Sequence, residues 1–167
     1  MNNVYIKNNS HFPEQANRFD VGFDLKATSF EIVGKKYKDY YSTIDYIEYD
    51  TQIFIDPLQI NSDDQIYTLV YPRSSISKTN LLLCNSVGVI DPNYRDSIKL
   101  RFKYICQPQD MVLLEDKIFV KINEEKIYAV GNKIGQLVFS KTIPIYFNYV
   151  EDLSSSDRSG GFGSTGK

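Results

Sequence analysis

The stretch SIKLRFKY (residues 97–104) alternates without a break between polar and apolar residues. A period of two residues places all its apolar side chains on one face of an extended chain, and its polar ones on the other. The apolar side chains are those of Ile98, Leu100, Phe102 and Tyr104. This pattern is typical of a β-strand with one buried face, and it sets the fold class.

Further short runs of β-forming residues lie on both sides of this strand. No segment longer than about 12 residues carries an apolar stripe of helical period. Turn-like groups such as NSDD, DPNY and VGNK separate the runs, which predicts an all-β protein built as a sandwich, barrel or jelly roll. The runs are QIFI (52–55), IYTLVY (66–71), KIFVKI (117–122), KIGQLVF (133–139) and IPIYFNYV (143–150).

Composition bounds the class of protein. The 167 residues are 42% hydrophobic with a net charge of −2, which indicates one packed domain and argues against stable nucleic-acid binding. No apolar run approaches the roughly 20 residues of a membrane span, and the N-terminus lacks the apolar stretch of a signal peptide, so we expect a cytoplasmic protein.

The cysteines and the single histidine exclude several chemistries. Cys84 and Cys106 form no close-spaced motif, and His11 is the one histidine, so a zinc site and a Ser–His or Cys–His mechanism are set aside. We interpret both cysteines as small buried residues in a reducing compartment.

Two segments differ in character from the predicted core. Residues 29–66 are rich in Tyr, Lys and Asp and predict a surface insertion, either a solvated hairpin or a protein-binding surface. Residues 151–157, EDLSSSD, predict a linker to the glycine-rich tail. We therefore predict a β domain over residues 1–157 and a flexible C-terminal arm over 158–167.

The segment NSVGVIDPNYRD (85–96) is the first candidate for chemistry. Asp91-Pro92-Asn93 is a turn signal, so Asp91 is either an ordinary turn residue or an acid at the mouth of a hairpin that deprotonates a water. Tyr94 offers a ring for packing against a ligand.

Three shorter segments carry weaker signals. YPRSSISK (71–78) is either a surface turn or a phosphate-binding turn built from Arg73, Ser74 and Ser75. Asp24 in VGFDLKA (21–27) and Gln136 in GNKIGQLVF (131–139) are polar residues in apolar strands. Each alone is equally explained as a solvent-facing strand residue.

The tail RSGGFGSTGK (158–167) holds four of the nine glycines. It is either a disordered terminus or an arm that orders around an anion, with Arg158, Ser164 and Thr165 as donors and Phe162 as a ring cover.

In this order, VGFDLKA, PRSS, GVIDPNYR, GNKIGQLVF and RSGGFGSTG resemble the five motifs of the trimeric deoxyuridine triphosphatase (dUTPase) family. The resemblance runs from about residue 21 to the end. It implies a jelly-roll-like β-clip subunit, a homotrimer with shared sites, and an arm that closes over nucleotide. The implied reaction is dUTP plus water giving dUMP and pyrophosphate with Mg²⁺, which lowers dUTP and supplies dUMP for thymidylate synthesis.

The resemblance also implies a role for each matching residue. Asp91 matches the general base, and Asp24 matches the acid that holds the metal through water. Residues matching the uracil and deoxyribose contacts are Asn85, Gly88, Ile90, Tyr94 and Phe162. Residues matching phosphate contacts are Arg73, Ser74, Ser75, Gln136, Arg158, Ser164 and Thr165.

The sequence departs from the family pattern at three places. Asp96 replaces a glycine, Lys133-Ile134-Gly135-Gln136 stands where the motif usually reads Arg-Ile-Ala-Gln, and one residue fewer separates Arg158 from the following GGF. Two alternatives stay open: an enzyme similar to dCTP deaminase, and a nucleotide-gated regulatory module that contacts a protein partner through residues 29–66.

Overall fold

The computed structural model of the protein describes residues 5–6, 11–57, 66–143 and 145–155. Within these ranges, twelve β-strands that pair antiparallel form the regular structure. Short 3-10 turns lie at Ser74–Lys78, Pro108–Asp110 and Glu124–Lys126. Over these ranges no helix has the length and apolarity to cross a membrane. The strands are β1 (Tyr5–Ile6), β2 (Phe23–Lys26), β3 (Ser29–Tyr37), β4 (Tyr40–Asp50), β5 (Ile55–Asp56), β6 (Ile66–Pro72), β7 (Leu81–Leu83), β8 (Gly88–Ile90), β9 (Lys99–Tyr104), β10 (Met111–Leu114), β11 (Lys117–Val120) and β12 (Lys133–Lys141).

The strands form two main sheets and one small one. The larger sheet has the order β10-β11-β4-β9-β7, with β3 on the other edge of β4, and the second has the order β2-β12-β6-β8. Strands β1 and β5 form the small sheet. One hydrophobic core takes residues from both main sheets, including Tyr49 and Phe102 from the larger and Leu25 and Leu137 from the second. The prediction of an all-β protein is confirmed for the described residues.

The alternation in SIKLRFKY is confirmed in β9. Ile98 and Phe102 are fully buried, whereas Lys99, Arg101 and Lys103 are exposed. The departure is Ser97, which is buried beside Asp50. The two-residue period thus correctly predicts the core face of the central strand.

The segment predicted as a surface insertion, 29–66, is only partly at the surface. Strands β3 and β4 form a hairpin along their whole length, but the second half of β4 pairs with β9 and buries Ile47 and Tyr49 completely. Two of the tyrosines that suggested an interface make intrachain contacts: Tyr37 stacks on Phe119 with ring centroids 5.1 Å apart, and Tyr46 lies under Arg101.

Two predicted β runs are mostly or wholly absent as strands. In QIFI, only Ile55 belongs to a strand, because Gln52 takes a left-handed conformation (φ 51°) that interrupts the extended chain. The described residues of the run 143–150 belong to no strand, and Phe147 is 96% exposed. Among the described residues, these β-forming side chains have no partner strand.

The cysteines are both free thiols in this structure, and the prediction that both are buried is wrong for Cys84. Cys84 is exposed at the start of the loop between β7 and β8, whereas Cys106 is half-buried. The backbone N–H of Cys84 donates to the Arg101 carbonyl at 2.9 Å, so the residue continues the β7–β9 pairing rather than filling the core.

Candidate active site

The loop and strand from Cys84 to Ile90 form one wall of a cavity of about 250 Å³, the hairpin cavity. Strand β8 pairs with β6 in the register Thr68 with Ile90 and Val70 with Gly88, which fixes this wall against the second sheet. A Cβ atom added at Gly88 would lie 3.2 Å from the Val70 Cβ, so the close pairing favours glycine. The cavity is lined by Val70, Leu83, Cys84, Asn85, Gly88, Val89, Ile90, Lys99, Leu100 and Arg101.

The opposite wall of the hairpin cavity is held by a charged cluster. Glu48, which is 8% exposed, pairs with Lys99 Nζ at 2.9 Å and with Arg101 Nε at 2.7 Å. The Arg101 guanidinium also lies 4.4 Å from the ring centroid of Tyr46. Lys99 and then Arg101 hold the pKa of Glu48 below its ordinary value, although burial opposes this. The cluster therefore stays ionised at neutral pH and fixes the two cations.

Asp91 follows β8 directly, so the strand that lines the cavity also positions this acid. It is exposed in the single chain, and its carbonyl accepts a hydrogen bond from the Tyr94 N–H at 3.0 Å, which closes the predicted turn. The Tyr94 hydroxyl donates to the Ser97 carbonyl at 3.0 Å, and burial raises its pKa. Arg95 ties the loop to β5 through Asp56, at 2.7 Å.

A second cavity, of about 560 Å³, lies beside the Ser74–Lys78 turn and is named here the cationic groove. Lys26, Arg73, Lys78 and Lys133 line it, against a single acid, Glu125. The register of β2 and β12 places Lys26 opposite Lys133, which gathers charge at this edge of the sheet. Such a surface suits an anion with several negative charges. The remaining lining residues are Ser75, Thr79, Ile127, Tyr128, Gly131 and Asn132.

Asp24 joins three of the motifs beneath the groove. Its Oδ1 lies 2.8 Å from Arg73 Nε, its Oδ2 lies 2.7 Å from Lys133 Nζ, and Gln136 Nε2 donates to Oδ1 at 3.2 Å. Asp24 itself is 3% exposed. Burial opposes its ionisation, but Lys133, Arg73 and Gln136 outweigh burial and hold the Asp24 pKa below its ordinary value.

This arrangement gives Asp24 and Gln136 contacts that the sequence does not predict. Asp24 was expected to hold a metal through water and Gln136 to contact phosphate. In this structure Gln136 donates a hydrogen bond to Asp24, and both carboxylate oxygens of Asp24 face cations. The described ranges contain no group of three or more His, Cys, Asp or Glu side chains placed to hold a metal ion.

The structure brings together some of the predicted site residues and separates others. Asn85, Gly88 and Ile90 line the hairpin cavity, and Arg73 and Ser75 line the cationic groove. The lining residues described for the two cavities have no member in common. Ser74 is exposed outside both linings, and the predicted arm residues Arg158, Phe162, Ser164 and Thr165 lie outside the described residues. The roles of all these residues stay predictions.

Two departures from the family pattern have a local physical explanation. At Gly135, where the family usually has alanine, an added Cβ would lie 2.6 Å from Leu100 Cδ2, so an alanine requires the buried Leu100 to shift. Asp96 is absent from the described residues with positive φ, so its backbone does not need a glycine.

Sequence reasoning missed Lys26 and Tyr128 as groove residues. Lys26 was detectable, because it lies two residues after Asp24 and shares its face of the strand. Tyr128 was not, because it lies in an irregular segment whose path no periodic pattern predicts.

The fold and the two cavities define a class of protein: an all-β protein with a small pocket and an adjacent acid, and a separate groove lined by four cationic side chains. Comparison with known sequences confirms the resemblance to the dUTPase family. The chain is 29% identical to deoxyuridine 5'-triphosphate nucleotidohydrolase of Haemophilus influenzae (strain PittEE), over 97% of this chain and 91% of that protein. It is 28% identical to the enzyme of the same name from Corynebacterium glutamicum, over 93% and 87%.

Solved structures agree on the fold. A variant of the Staphylococcus bacteriophage 80alpha dUTPase with bound dUpNHpp superposes with a TM-score of 0.69 at 20% identity, covering 99% of both chains. A variant of the dUTPase from phage phi11 of S. aureus, described with a structural Mg(II) ion, gives a TM-score of 0.61 at 20% identity, over 92% of this chain and 100% of that one. No protein-family model matches the chain. The jelly-roll-like prediction is confirmed by this likeness.

We expect Asp24→Asn to lower the free energy of unfolding by about 2–3 kcal/mol at pH 7, because it leaves two cations without their shared buried counter-charge. The lowered pKa means that the unfolded chain binds more protons in acid. The stabilisation from Asp24 is therefore present above the ordinary carboxyl pKa and is lost as pH falls through the folded-state value.

Urea unfolding between pH 7 and pH 3 measures both effects. The Asp24→Asn protein should lose less stability in acid than the wild type, because it has no carboxylate to protonate at this position. Asp152→Asn is the matched control, since Asp152 is exposed, and should follow the wild-type pH profile. Identical curves for all three proteins would contradict the role of Asp24.

Proposed function

We propose that the chain hydrolyses dUTP to dUMP and pyrophosphate, with Asp91 as the general base and Mg²⁺ bound by the substrate. The observation that carries this proposal is the hairpin cavity, whose strand β8 lines a small pocket and ends directly at an exposed carboxylate. The similarity to named dUTP nucleotidohydrolases over almost the whole chain supports the choice of substrate.

The proposed reaction is an in-line displacement at the α-phosphorus. Asp91 accepts a proton from a water molecule, whose oxygen forms a bond to the α-phosphorus. The bond from this phosphorus to the bridging oxygen breaks, and pyrophosphate leaves with the electron pair. The cations of the groove, Lys26, Arg73, Lys78 and Lys133, suit the negative charge that the phosphates carry throughout the reaction.

The described residues offer the metal no preformed ligand set, since both oxygens of Asp24 face cations. The donor chemistry therefore fits a metal that arrives with the triphosphate and keeps its waters, as Mg²⁺ commonly does. When bound, Mg²⁺ neutralises phosphate charge and polarises the phosphoryl oxygens. The residues of this chain bind and orient the uracil base, and Asp91 removes the proton from the attacking water.

A panel of nucleoside triphosphates with identification of the products tests the function. We expect pyrophosphate and dUMP from dUTP, and no comparable turnover of dCTP, dTTP or UTP. Formation of dUTP from dCTP would favour the deaminase alternative, and binding of dUTP without any product would favour the regulatory module.

We also propose that the active form is a homotrimer with sites shared between copies. In one chain the hairpin cavity, which lies next to Asp91 in the sequence, and the cationic groove have no lining residue in common. The segment after β12 also exposes large apolar side chains, including Ile145 at 70%, Tyr146 at 86% and Phe147 at 96%. An exposed apolar run of this kind marks a surface that another chain covers.

Light scattering should therefore give a mass close to three times the 19.3 kDa of one chain. Replacing Tyr146 and Phe147 together by serine should shift the protein towards monomer and lower turnover, with little change in the fold of each chain. Leu153→Ser is the control, because Leu153 is also exposed but lies outside the apolar run. A fully active wild-type monomer at micromolar concentration would contradict the shared site.

Two further predictions are kept as proposals. The proposal of a protein partner at residues 29–66 is supported by exposed polar residues of the hairpin, such as Lys35, Lys36 and Asp39. Tyr37 and Tyr46 support it less, because their rings pack within the chain. A cytoplasmic location is proposed from the free thiols of Cys84 and Cys106.

A further inference from the structure

Tyr128 is fixed beneath the cationic groove by contacts on both its backbone and its ring. Its N–H donates to the Tyr49 hydroxyl at 3.2 Å, and its carbonyl accepts from the same hydroxyl at 3.0 Å. Its ring packs edge-on against Tyr49 and Phe102, with centroids 6.1 and 5.8 Å away. The position of the side chain is therefore set by the core and not by a ligand.

The hydroxyl of Tyr128 has a different environment from its ring. It is buried, and no described residue offers it a hydrogen bond of normal geometry. Burial raises its pKa, while the nearby Ser75 and Arg73 offset part of this rise. The hydroxyl is thus a protonated donor at neutral pH, close to Ser75. A buried hydroxyl with unfilled hydrogen-bonding capacity requires an explanation.

The hydroxyl of Ser75 is the neighbouring group that could bond the Tyr128 hydroxyl, because Ser75 lines the same groove on the side of the Ser74–Lys78 turn. A serine hydroxyl carries one donor and two acceptor lone pairs. If the serine oxygen accepts a hydrogen bond from below, its own hydrogen is free to point into the groove. The Tyr128 oxygen is shielded from solvent, so its influence on an anion passes through Ser75.

We propose that Tyr128 is a positioning residue for the phosphate-binding turn: its O–H donates to Ser75 Oγ, and Ser75 then donates its own hydrogen to a phosphate oxygen of the substrate. This inference rests on the proposed function, and it adds a residue outside the five motifs to the phosphate site. The Tyr128 hydroxyl then has a hydrogen-bond partner, Ser75, and the bond reaches normal geometry when phosphate occupies the groove.

A double-mutant cycle with Tyr128→Phe, Ser75→Ala and both changes together tests the proposal. Tyr128→Phe keeps the ring and should lower kcat/KM for dUTP by about five- to ten-fold, the range expected for one buried hydrogen bond. Ser75→Ala should lower it at least as much. The double variant should be no worse than Ser75→Ala alone, because both changes break the same chain of contacts.

Tyr104→Phe is the matched control for losing a tyrosine hydroxyl. The Tyr104 hydroxyl donates to Asp110 Oδ2 at 2.8 Å and accepts from the Asn123 N–H at 3.0 Å, and Tyr104 lies outside the groove lining. Its loss should lower Tm by several degrees and leave kcat/KM within about two-fold of wild type. Tyr128→Phe should show the reverse pattern, with Tm nearly unchanged and kcat/KM reduced.

The same cycle measured by calorimetry with inorganic pyrophosphate keeps the inference separate from the proposed function. If the wild type does not hydrolyse dUTP, the proposed function fails, while coupled losses of pyrophosphate affinity would still support the link between Tyr128 and Ser75. Additive losses would overturn the proposal. So would a Tyr128→Phe protein with wild-type affinity and turnover, or one whose only change is a lower Tm.

Discussion

Replacing Asp91 by asparagine is expected to lower kcat for dUTP by about 10²–10⁴-fold, the usual effect of removing a general base. Asparagine has nearly the shape of aspartate but does not accept the proton of the attacking water. The residue directly follows β8, and the Tyr94 N–H bonds its carbonyl at 3.0 Å, so the backbone of the turn should survive the change. Binding of the nonhydrolysable analogue dUpNHpp should stay close to wild type.

Steady-state kinetics and calorimetry with the analogue measure these two quantities. Asp96→Asn is a suitable control, because Asp96 is an exposed carboxylate in the same loop, and its kcat should stay within about two-fold of wild type. If Asp91→Asn itself kept kcat within a few-fold of wild type, another residue would have to be the base. A loss of analogue binding equal to the loss of kcat would instead indicate a role in binding.

Deleting residues 158–167 is expected to lower kcat/KM for dUTP by about 10²-fold or more, since loss of a single transition-state donor often has an effect of this size. The deletion removes the predicted phosphate donors Arg158, Ser164 and Thr165 and the predicted base cover Phe162. Closure of such an arm excludes water and strengthens the remaining charge interactions. The deletion should therefore lower kcat and raise KM.

The fold should be nearly unaffected by this deletion, because Phe162 is the one large apolar side chain removed. Thermal melting and light scattering check this beside the kinetics. Phe162→Ala should lie between the deletion and the wild type, because stacking on a base contributes about 1–3 kcal/mol. Removal of Lys167 alone is the control for shortening the chain. A truncated protein with full turnover would identify the tail as a plain chain end.

The β9 strand illustrates what the sequence was able to predict. Its alternation is a local property, because each side chain points to one face or the other according to its position along an extended backbone. Burial of Ile98, Leu100 and Phe102 follows from that alone. The same reasoning located β6 and β12, whose runs at 66–71 and 133–139 lie within Ile66–Pro72 and Lys133–Lys141.

The segment 143–150 illustrates the limit of such reasoning. Its composition favours a strand, but a strand also needs a neighbouring strand, and the sequence does not say where one lies. The surface interpretation of 29–66 was wrong for Ile47 and Tyr49 for a similar reason, since pairing of β4 with β9 decides their burial. Local composition reports what a segment prefers, and partners elsewhere in the chain decide the outcome.

The candidate site shows the same division. The ordered motifs identified Asn85, Gly88, Ile90, Arg73 and Ser75, and the structure places them on two cavities. The motifs did not predict that Asp24 pairs with Arg73 and Lys133, because the contact depends on the β2–β12 register and on the end of β6. Tyr128 was missed because its place in the groove depends on the fold, and no pattern in the sequence around it predicts that place.

The pairing of Asp24 with both Arg73 and Lys133 has a consequence for how this chain varies. Three segments far apart in the sequence share one buried negative charge, so a substitution in one segment changes the environment of the other two. The lysine at 133 is tolerated where arginine is usual because it has to reach only one carboxylate oxygen, while Arg73 takes the other. Among relatives these positions should therefore covary, and transplanting any one of these motifs into a relative should succeed best when its two partners are moved with it.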